Sequence, residues 1–151
     1  VNQAVKVRYD VDVFCDICRQ AELNENLDER MQLYRKAINQ YSHPYAPAID
    51  GIWTAPIRTK LYLKYERAAL EVATFDLQQN KLQSCLDTCT KLLEIEPGQE
   101  RAWQICMLAH SELGDRGSIV KVYEQCKTNL SRSLNLKPSQ ETEDLYQNLI
   151  A

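Results

Sequence analysis

Glycine and proline are scarce in this chain, four and five respectively in 151 residues. A β-sandwich needs a turn every several residues, so this shortage argues against one and favours long helices. A basic excess is also missing. Lys and Arg number 18 against 21 Asp and Glu, a net charge of -3. That is the wrong sign for a segment that displaces counterions from nucleic-acid phosphates by itself. No apolar run approaches the roughly 18 residues of a membrane span, and no charged-then-apolar leader opens the chain. The expected address is the cytoplasm, with no membrane contact. The first residue is Val1 rather than Met, which reads as a piece cut from a longer protein.

Parts for catalysis are lacking too. There is no glycine-rich phosphate loop, and the carboxylates are scattered over polar faces without an acid–base pair. Two histidines are present, His43 beside a proline and His110 in a helical stretch, neither with a companion at ligand spacing. The expectation is a non-enzyme with no catalytic residue, cofactor or metal.

Six cysteines fall short of a disulfide scaffold. Cys15 and Cys18 form C-x2-C, and Cys85 and Cys89 form C-x3-C. Each spacing places both thiols on one face of a helix, and neither pair has the tight turn or second ligand pair of a zinc knuckle. Reduced, buried cysteines in a reducing compartment fit better.

What is present is helical periodicity. Residues 1–9 alternate apolar and polar and read as a short strand or a trailing linker from an upstream domain, so the domain proper is expected over 10–151. From Val11, with Asp10 as a possible cap, Val13 or Phe14, Ile17 or Cys18, and Ala21 share a face. Leu27, Met31, Tyr34, Ile38 and Tyr41 continue in a second helix after the break at Asn24 and Asn26. Residues 42–56, SHPYAPAIDGIWTAP, form one long aromatic and proline loop, and Pro56 suits the first turn of the next helix. That helix runs to Gln79 on Leu61, Tyr65, Ala68, Ala69, Val72 and Phe75. A fourth follows Asn80 and closes at Pro97, and a fifth carries Trp103 and Cys106 and stops at Gly114. A sixth carries Ile119, Tyr123, Cys126, Leu130 and Leu134, and a last one follows Ser139 with Leu145, Tyr146 and Leu149.

Cys85 aligns with Ile119, Cys89 with Tyr123 and Leu92 with Cys126, always 34 residues apart. That is the tetratricopeptide period. About seven helices in antiparallel hairpins, in an all-α tetratricopeptide-like right-handed superhelix, are therefore expected.

Three stretches resemble a known family: GIWTAPIRTKL; LEVATFDLQQNKLQSCLDTCTKLLEIEPGQERAWQICMLAHSELGD; and IVKVYEQCKTNLSRSLNLKPSQETEDLYQNL. They are similar to the bacterial transcriptional activator domain, which follows a winged helix in antibiotic-pathway regulators. The last is the most specific. Leu134, Leu136, Pro138, Ser139, Leu145, Tyr146 and Leu149 reproduce the family's Leu-x-Leu-x-Pro-Ser connection and final helix. The opening RYDVDVFCDICRQAE resembles the join to the winged helix. Near Trp53 the chain departs from the pattern, with Asp50 alone and Pro56-Ile57-Arg58 where a Glu-Arg pair is usual. Any role of the missing acid does not carry over, while Arg58 retains its structural part.

The resemblance implies a regulatory module that dimerises, touches neighbouring domains or contacts RNA polymerase, with DNA bound only through a domain upstream of Val1. The alternatives are a free-standing adaptor that grips a peptide and a small-molecule sensor. Lys60, Lys64 and Arg67 lie on one side of the third helix, as a cationic partner surface or as a solvated face relieved by Glu66 and Glu71. Tyr45 and Trp53, in the loop, are candidate partner-surface aromatics. With Arg58 they complete the candidate interface.

Overall fold

The computed structural model describes residues 3–41 and 55–151. Among these residues it holds seven helices and no strand: α1 (Gln3–Leu23), α2 (Leu27–Gln40), α3 (Ala55–Gln78), α4 (Leu82–Ile95), α5 (Glu100–Glu112), α6 (Arg116–Leu134) and α7 (Gln140–Ile150). Contacts divide the chain into two compact units, residues 1–72 and 73–151, and the division falls inside α3.

The strand expected at the N-terminus is absent. Residues 3–9 are the first turns of α1, and Asp10 lies inside that helix rather than capping it. The alternation there has no sheet to bury a face against, since Val5 and Tyr9 are both exposed. Intrahelical hydrogen bonds then extend the Val11–Ala21 helix towards the N-terminus, at little cost per added residue. The 42–56 loop expectation lies outside the described residues up to position 54, and helix begins at Ala55.

In the first unit, Val11, Phe14, Cys18 and Ala21 form the buried stripe of α1, facing Met31, Tyr34 and Ala37 of α2. The reversal between them satisfies its own backbone. Asn26 caps α2 by accepting from Glu29 N at 3.0 Å. Arg30 donates through Nε and Nη2 to the Asn24 carbonyl at 2.9 and 2.7 Å. Tyr41 lies against Phe14 at 5.5 Å between ring centroids and stacks on Tyr65 of α3 at 4.3 Å.

In the second unit the 34-residue period is visible in both packing and turns. All six aligned residues, Cys85 with Ile119, Cys89 with Tyr123 and Leu92 with Cys126, are buried. Asn80 (φ 58°) and Gly114 (φ 70°), also 34 apart, end α3 and α5 in the left-handed conformation. In each case the following amide reaches back five residues: Lys81 N to Asp76 O at 2.8 Å and Asp115 N to His110 O at 2.9 Å. These are Schellman ends; Asn135 (φ 54°) also closes α6 in the left-handed conformation, but there Leu136 N reaches one residue further back, to Leu130 O at 3.2 Å. Asp115 caps α6 by accepting from Ser118 N at 3.0 Å. That cap starts the helix one turn before Ile119, the first residue of its apolar stripe.

α5 is the centre of this unit, touching α4, α6 and α7. Ala102, Ile105, Met107 and Ala109 are buried around it, and Trp103 donates Nε1–H to the Pro97 carbonyl at 2.9 Å. Leu113 and Leu134, both on expected apolar stripes, are about half exposed. They sit at helix ends, where Leu134 packs against Gly98 before α5.

Candidate partner-binding surfaces

In the first unit, Lys60, Lys64 and Arg67 follow one another at steps of four and three on α3. They line an open groove of about 720 Å³ with Glu22, Pro56, Thr59 and Leu63. Glu22 comes from the end of α1, and Arg67 Nη1 stands 3.7 Å from its Oε1. Both side chains are partly exposed, so this pair contributes little. The relief expected from Glu66 does not take the form of an ion pair. Its carboxylate accepts from Tyr62 Oη at 2.5 Å instead, while Lys60 and Lys64 make no ion pair among the described residues. The stripe is therefore an under-neutralised cationic face beside an exposed leucine, Leu63.

The same two lysines reach the thiols of α1. Burial pushes the Cys15 thiol up, and the fields of Lys64 and Lys60 only partly oppose it. Burial likewise takes Cys18 to about 11 against the pull of Lys64. Neither thiol is an activated nucleophile. Arg58 is exposed and lies off the groove. Tyr45 and Trp53 lie outside the described residues, as does His43.

In the second unit, a groove of about 600 Å³ runs between α4 and α6, over α5. Leu93, Trp103, Cys106 and Val122 form its buried apolar floor, and the exposed rim carries Asp87 and Glu94 on one side and Gln125 on the other. His110 also lines it, and its Nδ1 is buried without a hydrogen-bond partner. Sequence reasoning missed this groove. Its residues alternate with core positions on helices that read simply as amphipathic, and only the packing of three helices separates its floor from its rim.

A polar cluster fastens α7. Gln104 Nε2 donates to Thr142 Oγ1 at 2.8 Å, Thr142 Oγ1 donates to Glu100 Oε1, and Ser139 N donates to the same oxygen at 2.7 Å. Burial works to raise the Glu100 carboxyl, but the bonds from Thr142 and Ser139 outweigh it, and the net displacement is downward from 4.5. Beside it, Tyr123 of α6 donates to Glu143 and stacks on Tyr146 at 3.8 Å with the rings 4° from parallel. Burial and the Glu143 carboxylate hold the Tyr123 hydroxyl protonated. This cluster is structural in geometry: its polar groups point at one another.

Thiols elsewhere differ in direction: a hydrogen bond with Cys89 lowers the Cys85 thiol against its burial, while hydrogen bonds with Cys106 and Cys85 and then burial raise that of Cys89. Cys85, Cys89, Cys106 and Cys126 are buried and unbridged, and burial followed by the Glu100 and Glu143 charges takes Cys126 to about 12. No group of three or more metal-ligating side chains occurs among the described residues.

Comparison with known proteins agrees with this helical layout. The bacterial transcriptional activator domain model matches residues 9–150. The chain belongs to that family. Among solved structures it is similar to the C-terminal TPR-containing domain of a Plasmodium falciparum protein named as FK506-binding. The likeness has a TM-score of 0.65 at 15% identity and covers 95% of this chain and 90% of that one. At that identity it shows the fold alone, a tetratricopeptide-like all-α domain. No curated protein matches the chain. The family is one of transcription activators. Among the described residues no helix is long and apolar enough to cross a membrane.

Proposed function

We propose that the chain is a non-catalytic regulatory module of a cytoplasmic bacterial transcription activator. It acts by self-association and by contacts with neighbouring domains or RNA polymerase, while an upstream domain binds DNA. The observation that carries this reading is the family match across residues 9–150. The net charge of -3 supports assigning DNA contact to another part of the protein. Two DNA-binding domains joined through such a scaffold gain effective concentration on adjacent half-sites.

The cationic groove of Lys60, Lys64 and Arg67 is the contact surface for an acidic partner. Arg58, Tyr45 and Trp53, which flank it in sequence, are proposed as further partner contacts. Two measurements test the reading. Sedimentation equilibrium of the chain gives a concentration-dependent dimer; a strict monomer at high concentration removes self-association. Lys60→Glu with Lys64→Glu in the full-length activator abolishes reporter activation at unchanged protein level. Undiminished activation by that variant would rule out the groove as a contact.

A second reading is an adaptor that grips a peptide, favoured by the groove between α4 and α6. The residues encoded before Val1 discriminate. A winged helix there supports the activator, and further helical repeats support the adaptor.

A further inference from the structure

The groove between α4 and α6 differs from the cationic one in charge, lining and extent. On α4 it is lined from Gln83 to Glu94, about 16 Å of helix at 1.5 Å per residue. That length matches about five residues of extended chain and exceeds what a compact ligand needs. Its rim is exposed, and its floor is apolar.

The charges of the rim are of one sign. Asp87 and Glu94 both line the groove, and no lysine or arginine does. Glu94 makes no ion pair among the described residues, and Asp87 accepts only from the neutral Gln83 Nε2 at 2.9 Å. The two carboxylates stand two helical turns apart, about 10 Å, close to the ~9 Å between same-face side chains three residues apart in an extended polyproline II segment. The opposite wall carries amides. Asn129 Nδ2 donates to the Gln125 carbonyl at 2.8 Å, which leaves Asn129 Oδ1 and the whole Gln125 amide without a partner among the described residues. Such groups satisfy a peptide backbone, donor to acceptor and acceptor to donor. His110 adds a further polar atom lacking a partner beside the floor.

We infer that this groove is a docking site for an extended protein segment bearing lysine or arginine, whose cations face Asp87 and Glu94 and whose backbone runs along Gln125 and Asn129. The inference rests on the reading of the chain as a protein-binding module and names a second, oppositely charged partner surface for it. Apolar side chains of the segment cover Trp103 and Val122, which exclude water from the contact.

The test uses the whole chain, ¹⁵N-labelled, and three peptides of about twelve residues that differ only in carrying Lys, Gln or Glu at every third position. The Lys peptide is expected to shift amides of residues 83–94 and 122–129 and to bind more weakly as salt rises. Asp87→Asn with Glu94→Gln, both on exposed side chains, is expected to weaken it roughly fivefold and flatten the salt dependence. The proposal falls if the Gln or Glu peptide binds as well as the Lys peptide, or if the double variant binds unchanged. It also falls if no peptide binds, or if the shifts are confined to residues 55–67. Reporter activation and sedimentation of the same double variant separate this inference from the activator reading. A variant that loses the peptide but keeps self-association leaves the activator reading standing.

Discussion

Gln104 of α5 and Thr142 of α7 are joined by a 2.8 Å hydrogen bond between two buried side chains. Because the Thr142 hydroxyl accepts from Gln104 and donates to Glu100, one oxygen serves two partners. Thr142→Val keeps the volume and leaves both partners facing a methyl group. The expected loss is about 2–3 kcal/mol, read as a lower urea midpoint at unchanged slope. Thr142→Ser retains the hydroxyl and loses less than about 1 kcal/mol. Equal losses for the two variants would assign the effect to packing instead.

Glu100 makes stability depend on acid in a definite direction. Its folded pKa lies below 4.5, so the unfolded chain binds the proton more tightly and stability falls as protons are added. The contribution is complete above 4.5 and is lost as pH drops through the lowered folded value. Glu100→Gln removes it. The stability gap between wild type and variant is therefore constant from pH 5 to 7, about 1–2 kcal/mol, and narrows below 4.5. Urea titrations across pH 3 to 7 measure it.

The three left-handed helix ends respond differently to substitution. No neighbouring atom lies within 4 Å of a Cβ built on Gly114, so Gly114→Ala reports backbone strain alone, about 1–2 kcal/mol. Asn80 and Asn135 already carry a side chain at positive φ. Asn80→Gly and Asn135→Gly change stability by less than about 0.5 kcal/mol, because relief of strain is offset by the greater freedom of the unfolded chain. Thermal melts of the three variants under one condition suffice.

Thiol chemistry follows burial. Cys15 is the one cysteine of the six that is not fully buried, and burial still raises its pKa. Native protein therefore reacts slowly with a thiol reagent, first at Cys15, and all six residues react in denaturant. Fast native reaction at Cys89 or Cys126 would contradict the packing.

Much of this was legible in the sequence because periodicity and caps are local signals. The apolar stripe between Val11 and Ala21 and the helix boundaries at Asn26 and Ser139 required only neighbours along the chain, and the alignment of Cys85 with Ile119 only a 34-residue count. The first turns of α1 misled because a nine-residue alternation fits either period when nothing buries a face. Sites were less legible. Lys60, Lys64 and Arg67 were visible as a stripe, yet their partner Glu22 lies on another helix, and Glu66 was already engaged by Tyr62. Gln104 and Thr142 read as ordinary polar residues, since their burial depends on a helix 38 positions away. The α4–α6 groove depends on three helices at once, which no single window of residues contains.

α7 buries one side chain fully, and that side chain is a threonine. Its apolar residues Leu145, Tyr146, Leu149 and Ile150 are only partly buried, so it has less apolar area to lose on release than the helices with fully buried stripes, and its attachment is comparatively weak. Amide hydrogens in residues 142–150 should therefore exchange by a separate opening, ahead of the helices around Met107. That opening uncovers the Tyr123 ring and the Gln104 amide together. The final helix is thus the part of this fold whose occupancy a binding partner can change without unfolding the rest.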